Sequence, residues 1–442
     1  MIALAFASAV VEAAVGADGE VAAGRAPVEL DGPEENSVTF TLVPGAGVRL
    51  RSKTESLALS YTPRIFYRVP NALQVSRPLI LHQASLSHAA ALDRSAAWAS
   101  SAQLSAGEVD YTASGLFDPG SSAVRTSIAE LVRVEGETGL KVELSRRLRW
   151  TLDASGDYTT PIGASNTPAV LTPVPDPASE MPVPELTLSA GGGLPESAQL
   201  STQSSLSYAV SRTDRLATSA EVTYQWFPDT GRFLLLSPDI SWESQASRRT
   251  SFTISAGVAY VITLETPTSY DSSDAIGGTG GVRIDSVLYK SRNTSVSSAL
   301  NASLDWFFDP IAGTSQPRAG VDLGTEISIG RDWLIGPNAS FYAVLRGARA
   351  RVGGNDELGP DGMPLPVREV VSADSTVLRA EVPISYAVSR EVSLSFGGRA
   401  SFRGRPLSQD GFRLDERLEL WAFFGLTVRL ATGHDYGSWL SL

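Results

Sequence analysis

The chain has 442 residues, 43% of them apolar and only 19% charged, with a formal net charge of −12; an average soluble domain carries roughly 25% charged residues. The absence of Cys excludes disulfide frameworks, thiol nucleophiles and thiolate metal sites, and the acidic balance argues against binding a phosphate backbone. Three His (82, 88 and 434) are too few for a His-rich metal centre, and no run of 18 uninterrupted apolar residues is present to form a transmembrane helix.

The amino-terminal stretch Met1 to Ala17 is apolar and ends in Val-Gly-Ala before Asp18, the small-residue cleavage pattern of a secretory signal, although it lacks a basic leader. Residues 1–17 therefore read as a signal-peptide remnant and 18–442 as one unit. Glu20 to Leu30 is a weak strand candidate. From about Val38 onward, apolar and polar residues alternate in runs of 9 to 13 residues, the period of a strand with unlike faces.

Short charged turns separate these runs. Ser207-Tyr-Ala-Val-Ser-Arg212 recurs letter for letter as Ser385-Tyr-Ala-Val-Ser-Arg390. Related turns occur at Arg51–Glu55, Leu92–Ser95, Leu144–Leu148, Ser247–Thr250, Lys290–Thr294 and Gly330–Trp333, which makes eight. Between them the alternation is plain. Leu216, Thr218, Ala220, Val222, Tyr224 and Trp226 oppose Ala217, Ser219, Glu221, Thr223 and Gln225. Phe252 to Ile262, Val296 to Trp306, Leu378 to Tyr386 and Val392 to Phe402 repeat the pattern. The segments joining the other strand ends are longer and unequal. Thr160 to Leu194 is Pro-rich and is read as a loop without regular sheet, and 265–280 and 350–371 are shorter relatives of it.

Equal short turns at one end and unequal long loops at the other form the pattern of an outer-membrane barrel. A soluble sandwich would alternate too, but here charges keep to one face while the apolar face ends in aromatic residues. Trp98, Trp150, Tyr208, Trp333 and Tyr386 lie near the short turns, and Trp226, Tyr260 and Trp306 lie far from them. Two aromatic belts at the membrane interfaces are expected. Eight hairpins give sixteen strands, Arg413 to Leu430 adds one, and parity asks for another before Val38. The expectation is an all-β, single closed antiparallel transmembrane barrel of eighteen strands, with sixteen as the alternative.

A barrel this wide has room for an aqueous lumen. The polar faces assign it two arcs. The basic one holds Arg49, Arg64, Arg68, Arg379, Arg399, Arg403, Arg417 and Arg429, on the first and last strands. The acidic one holds Asp153, Asp157, Glu221, Asp239, Glu243, Asp285, Asp305, Asp322 and Glu326, on the middle strands. Opposed arcs would set a transverse field across the pore. Local pairing is the competing expectation, as in the strand carrying Arg133, Glu135, Glu137, Lys141 and Glu143.

Catalysis is not expected. His82 and His88 fall on the opposite face of their strand from Ser85 and Ser87, and no Gly-x-Ser-x-Gly elbow exists. No cofactor or metal is implied, and no nucleic acid partner.

Thr41-Leu-Val-Pro-Gly-Ala-Gly-Val-Arg-Leu50, continuing through Ser52-Lys-Thr-Glu55 to Leu59-Ser-Tyr-Thr-Pro-Arg64, together with the repeated Ser-Arg turns, resembles large outer-membrane barrels of the δ-proteobacterial kind. Gly425-Leu-Thr-Val428-Arg-Leu430 resembles their carboxy-terminal assembly signal, though twelve residues follow it. Similar eighteen-stranded barrels are implicated in exopolysaccharide secretion beside periplasmic export proteins. The resemblance thus implies an outer-membrane channel for polar solutes or an extended polymer, with outer-membrane lipid and periplasmic export proteins as partners. A plugged structural scaffold without transport is the other reading.

Overall fold

The computed structural model describes residues 10–27, 34–69, 77–110, 128–162, 171–173, 186–188, 196–228, 231–265, 275–309, 314–344, 349–352, 368–371, 376–404 and 418–432. Among them there is no helix. Eighteen antiparallel strands make one wall, as the turn count and parity require. They are β1 (Val10–Pro27), β2 (Glu34–Arg51), β3 (Glu55–Tyr61 and Arg64–Val69), β4 (Leu79–Ala91), β5 (Ala96–Asp110) and β6 (Ile128–Glu143). Then follow β7 (Leu148–Pro161), β8 (Ser197–Ala209), β9 (Asp214–Phe227), β10 (Gly231–Ser244), β11 (Thr250–Glu265) and β12 (Ala275–Lys290). The last six are β13 (Thr294–Asp309), β14 (Thr314–Ile329), β15 (Trp333–Ile335 and Asn338–Val344), β16 (Thr376–Ala387), β17 (Val392–Gly404) and β18 (Leu418–Ala431). Both broken strands are interrupted by a proline, Pro63 and Pro337, which has no N–H to give to a ladder.

Each strand pairs with its sequence neighbours, and β1 pairs with β18 from Ala14↔Ala431 to Arg25↔Leu420, which closes the barrel. The first strand is longer than the weak candidate at Glu20–Leu30. It begins at Val10, so Val10 to Ala17, read from sequence as the end of a leader, forms its first half and pairs with Gly47 to Arg51 and Pro44 to Ala46 of β2. The assembly-signal-like Gly425–Leu430 lies inside β18, against β1. Residues 433–442 lie outside the described residues.

The faces are inverted relative to a soluble barrel. On β9 the apolar positions Leu216 and Val222 are each 42% exposed, while Thr223 on the other face is buried. The same holds round the wall, with Leu200, Ile240, Val258, Val321, Leu426 and Leu430 exposed. A band of exposed aliphatic side chains around a closed sheet is stable only where the surrounding medium is itself apolar. Closure then satisfies every backbone group in that medium. This is a transmembrane barrel of the outer-membrane type, and its strands of 12 to 18 residues cross the ~30 Å hydrocarbon layer at a tilt.

All eight turns predicted from sequence lie at one end, where β1 begins and β18 ends. Their repeat has a local cause. In six of them a Ser opens the turn and its Oγ accepts backbone N–H groups two or three residues on: Thr213 and Asp214 donate to Ser211, both at 3.0 Å. Ser52, Ser145, Ser247, Ser291 and Ser389 act alike. This satisfies donors that a tight turn would otherwise strand. Asp93 takes the same place in its turn, accepting the Ser95 N–H at 2.6 Å. Gly330 opens the eighth with φ +67°, a left-handed conformation that suits glycine. The residue after the opening position is basic in every turn: Lys53, Arg94, Arg146, Arg212, Arg248, Arg292, Arg331 and Arg390.

The opposite end carries the long connections. The Pro-rich segment includes a ladder of three residues, Leu171–Pro173 with Leu186–Leu188, so the expectation of no sheet there is corrected. A second small hairpin joins Arg349–Val352 to Arg368–Val371. These side strands pair only with each other.

Candidate functional site: the lumen wall

Cross-strand partners share a face, so the registers trace the inner surface strand by strand. Glu221 of β9 lies opposite Gln203 of β8, which lies opposite Asp153 of β7 and then Gly139 of β6. Along each strand that surface changes character. On β4 it runs from exposed Ser87 and Ala89 near the short turn to Leu81 and Leu79, only 3% and 5% exposed, near the long-loop end. On β6 it runs from exposed Lys141 and Glu137 to buried Leu131. Phe66, Phe233, Ala259, Val261 and Val377 are likewise inward by register, buried and nearer the long loops. The inner wall is therefore an exposed polar vestibule toward the short turns and a covered collar toward the long loops, in which these apolar side chains are joined by buried Ser37, Thr39, Arg68, Ser105, Thr159 and Thr223.

Two recesses mark the vestibule. One, of about 580 Å³, lies over β3 to β9, with Ser87, Ser101, Glu137, Asp153, Gln203 and Glu221 in its lining. The other, of about 590 Å³, lies toward the turns and includes Arg49, Arg51, Lys53, Lys141, Thr151 and Asp153. Small hydroxyls floor both, because Ser and Thr keep a strand's inner face hydrated without filling the space.

The predicted arginines lie on the first and last strands, but β1 threads carboxylates between them. Nη2 of Arg399 donates to both carboxylate oxygens of Glu20 at 2.9 Å. Arg49 stands 3.9 Å from Glu12. Asp18, the third inward carboxylate of β1, accepts the Thr427 hydroxyl at 2.6 Å. Arg399 also lies 4.8 Å from the Phe423 ring centre, and buried Arg68 lies 5.9 Å from that of Trp421. Arg64 is paired across β3–β4 with Leu81, Arg379 with Ser340 and Ser401, Arg403 with Val377, and Arg429 with Gly16. Arg417 lies outside the described residues. Sequence reasoning missed Glu12, Asp18 and Glu20 because β1 was not recognised at its full length. Their spacing of two and six residues on one face was the available signal.

The nine acidic positions all fall on the inner surface by register, and most have partners there. Asp157 lies 3.8 Å from Arg133, Glu243 3.2 Å from Arg215, Asp285 2.8 Å from Arg283 and Asp305 3.1 Å from Arg318. Glu221 accepts the Ser201 and Thr223 hydroxyls, Asp322 accepts Tyr342 at 2.7 Å, and Asp239 accepts both the N–H and the hydroxyl of Ser219. Asp153 and Glu326 are exposed, with no side-chain partner among the described residues. The wall is thus a mosaic of short-range pairs, with free carboxylates at two places, and the basic and acidic arcs are each crossed by opposite charge.

The eight aromatic residues assigned to the interfaces divide between the two ends. Trp98, Tyr208 and Trp333 are exposed on the outer face near the short turns; Trp333 packs against Tyr386 at 4.6 Å, and the Trp150 indole donates to Ser204 at 3.0 Å. Trp242, not singled out from sequence, joins this belt at 43% exposure. Trp226 and Tyr260 lie toward the long loops. Trp306 lies there too, but its indole is half-buried and occupies the space a Cβ at Gly277 would need. On the outer face of β4, the His82 ring meets the Tyr61 hydroxyl at 2.6 Å and His88 stands edge-on to Trp98, apart from inward Ser85 and Ser87.

No protein-family model and no curated protein matches the chain. Solved outer-membrane structures do. A mutant ferric enterobactin receptor of Pseudomonas aeruginosa in complex with enterobactin is 9% identical, with a TM-score of 0.47, covering 96% of this chain and 82% of that one. The copper transporter OprC is 10% identical with a TM-score of 0.44, covering 96% and 80%. OccK2 of P. aeruginosa is 8% identical with a TM-score of 0.42, covering 95% and 98%.

Proposed function

We propose that the barrel is an outer-membrane channel for polar solutes or an extended polymer, with polysaccharide export as its narrower version. The observation that carries this reading is the exposed polar vestibule, from Ser87 and Ala89 on β4 through Glu137 and Asp153 to Gln203. Water-facing hydroxyls, amides and unpaired carboxylates line an aqueous path; a wall built to pack against a folded plug would bury them. Unlike a charged filter, the mosaic of ion pairs discriminates little by sign, which suits a neutral, hydroxyl-rich cargo. Periplasmic export proteins belong to this proposal as partners.

The covered collar supports a second reading, a scaffold barrel with no transport. Phe233 and Leu131 are each 2% exposed on an inward face, where an open pore would wet them. Planar-bilayer recording separates the two: discrete conductance steps are expected of the channel, and a silent barrel that inserts and folds normally would establish the scaffold. Loss of secreted polysaccharide on deletion, restored by the wild-type chain, tests the export version.

A further inference from the structure

The short-turn rim carries a pattern that the lumen explains only in part: of the eight basic residues after the opening positions, Lys53 and Arg248 border recesses of the inner wall. Every turn places Lys or Arg directly after its opening residue, and all eight side chains are exposed. Apart from Arg390, none of them has a side-chain partner among the described residues. Two or three basic turns would be ordinary surface; eight of eight, in a chain of net charge −12, set this rim apart from the rest of the molecule. The connection 162–196 at the far end, by contrast, holds Asp176, Glu180, Glu185 and Glu196 and no Lys or Arg.

Depth identifies what the ring meets. The outward aromatics Trp98, Trp150, Tyr208, Trp333 and Tyr386 lie two to four residues from the basic residue of their hairpin. At ~3.3 Å per residue along a tilted strand, this is roughly 5–10 Å beyond the belt, the depth of the lipid phosphates. A long cationic side chain there reaches back to them with its stem against the wall.

We infer that the six turn cations that do not border the inner recesses, Arg94, Arg146, Arg212, Arg292, Arg331 and Arg390, form a collar that binds the headgroups of anionic phospholipids in the leaflet at this rim. A collar spread over six of the eight hairpins fits an annulus of lipid, which surrounds the barrel, better than an acidic protein, which would cover one arc. Carboxylates stand within two residues of five of the eight turn cations, at Glu55, Asp93, Asp214, Asp332 and Glu391, and Asp93, Asp214 and Glu391 accept hydroxyls of Ser95, Ser211 and Ser389 in their own turns. The inference does not depend on whether the lumen conducts.

The test uses the full chain reconstituted in phosphatidylcholine vesicles, with spin-labelled phosphatidylglycerol and phosphatidylcholine as the probes of boundary lipid. Phosphatidylglycerol should associate about fivefold more strongly at low salt, and the preference should fall toward unity at high salt. A variant carrying Arg94→Gln, Arg146→Gln, Arg212→Gln, Arg292→Gln and Arg331→Gln should lose most of the preference while keeping its heat-modifiable mobility. If that variant does not fold, the double change Arg146→Gln and Arg292→Gln, with the wild-type salt series, decides the matter by a partial loss. Equal association of the two lipids with wild type overturns the inference. So does tight binding of polyglutamate that phosphatidylglycerol fails to displace, which would assign the ring to an acidic soluble partner.

Discussion

Arg399 on β17 reaches over β18 to the Glu20 carboxylate on β1, so that residues 379 positions apart in sequence share two hydrogen bonds at the line where the barrel closes. Glu20 supplies the countercharge that the arginine-rich strands need. The side chains are 40% and 29% exposed, so the pair is partly screened and contributes about 1 kcal/mol or less to stability. Its larger effect is on the field in the lumen. Glu20→Gln should shift the reversal potential in a salt gradient toward anions, and Arg399→Ser should shift it toward cations, both most strongly at low salt. Identical reversal potentials in all three proteins would place this pair outside the conducting path.

The inverted faces give a second expectation. Val258 is 42% exposed at the middle of β11, and Ser255 lies inward on the same strand. Val258→Arg should cost about 2–4 kcal/mol in reversible folding into lipid bilayers, whereas Ser255→Ala should change little. Equal losses would contradict a lipid-facing outer surface.

The collar is open to the same kind of test. Leu131→Ser and Phe233→Ser exchange covered inward side chains for small polar ones. Single-channel conductance should rise, and stability should fall by about 2–5 kcal/mol as packing is lost. A stability loss with no gain in conductance would show that the collar lies off the path.

In the turns, Ser211→Ala removes an acceptor of two N–H groups and should lower barrel stability by about 1 kcal/mol. Asp93 should make its turn sensitive to acid. The Ser95 N–H and hydroxyl hold its carboxylate below the usual range. Its contribution is therefore complete above the unfolded value of about 3.9 and is lost as pH falls through the lower folded value. Protection of the Ser95 amide from exchange should drop over that acidic window in wild type, and Asp93→Ser should abolish the dependence.

The sequence made the turns and seventeen of the strands legible because a two-residue period and an Ser-Arg corner are local signals. β1 was obscure for a chemical reason. Its inward positions include Ala14, Gly16, Ala22 and Gly24, small enough to blunt the contrast with outward Val11, Val15 and Val21. Crowding explains part of this: a Cβ at Gly24 would overlap the Leu420 carbonyl and press on the Trp421 ring. The ion pairs were legible only as residue types, since Arg399 and Glu20, or Asp305 and Arg318, meet through register. The collar left a clearer trace. Leu79-Ile80-Leu81 and Phe233-Leu-Leu-Leu236 are unbroken apolar runs, the mark of strands that are apolar on both faces, set among alternating neighbours.

Because β18 meets β1, the wall is joined by its first and last strands. A chain that stops short of Leu418 has bare N–H and C=O groups along both β1 and β17, two edges that hydrocarbon cannot solvate and that invite pairing with other chains. The joining contact also spans nearly the full length of the polypeptide, the costliest loop to close and the slowest to form. A closed, edge-free wall therefore requires the carboxy-terminal strand, and a chain lacking it carries two edges open to pairing with its own copies.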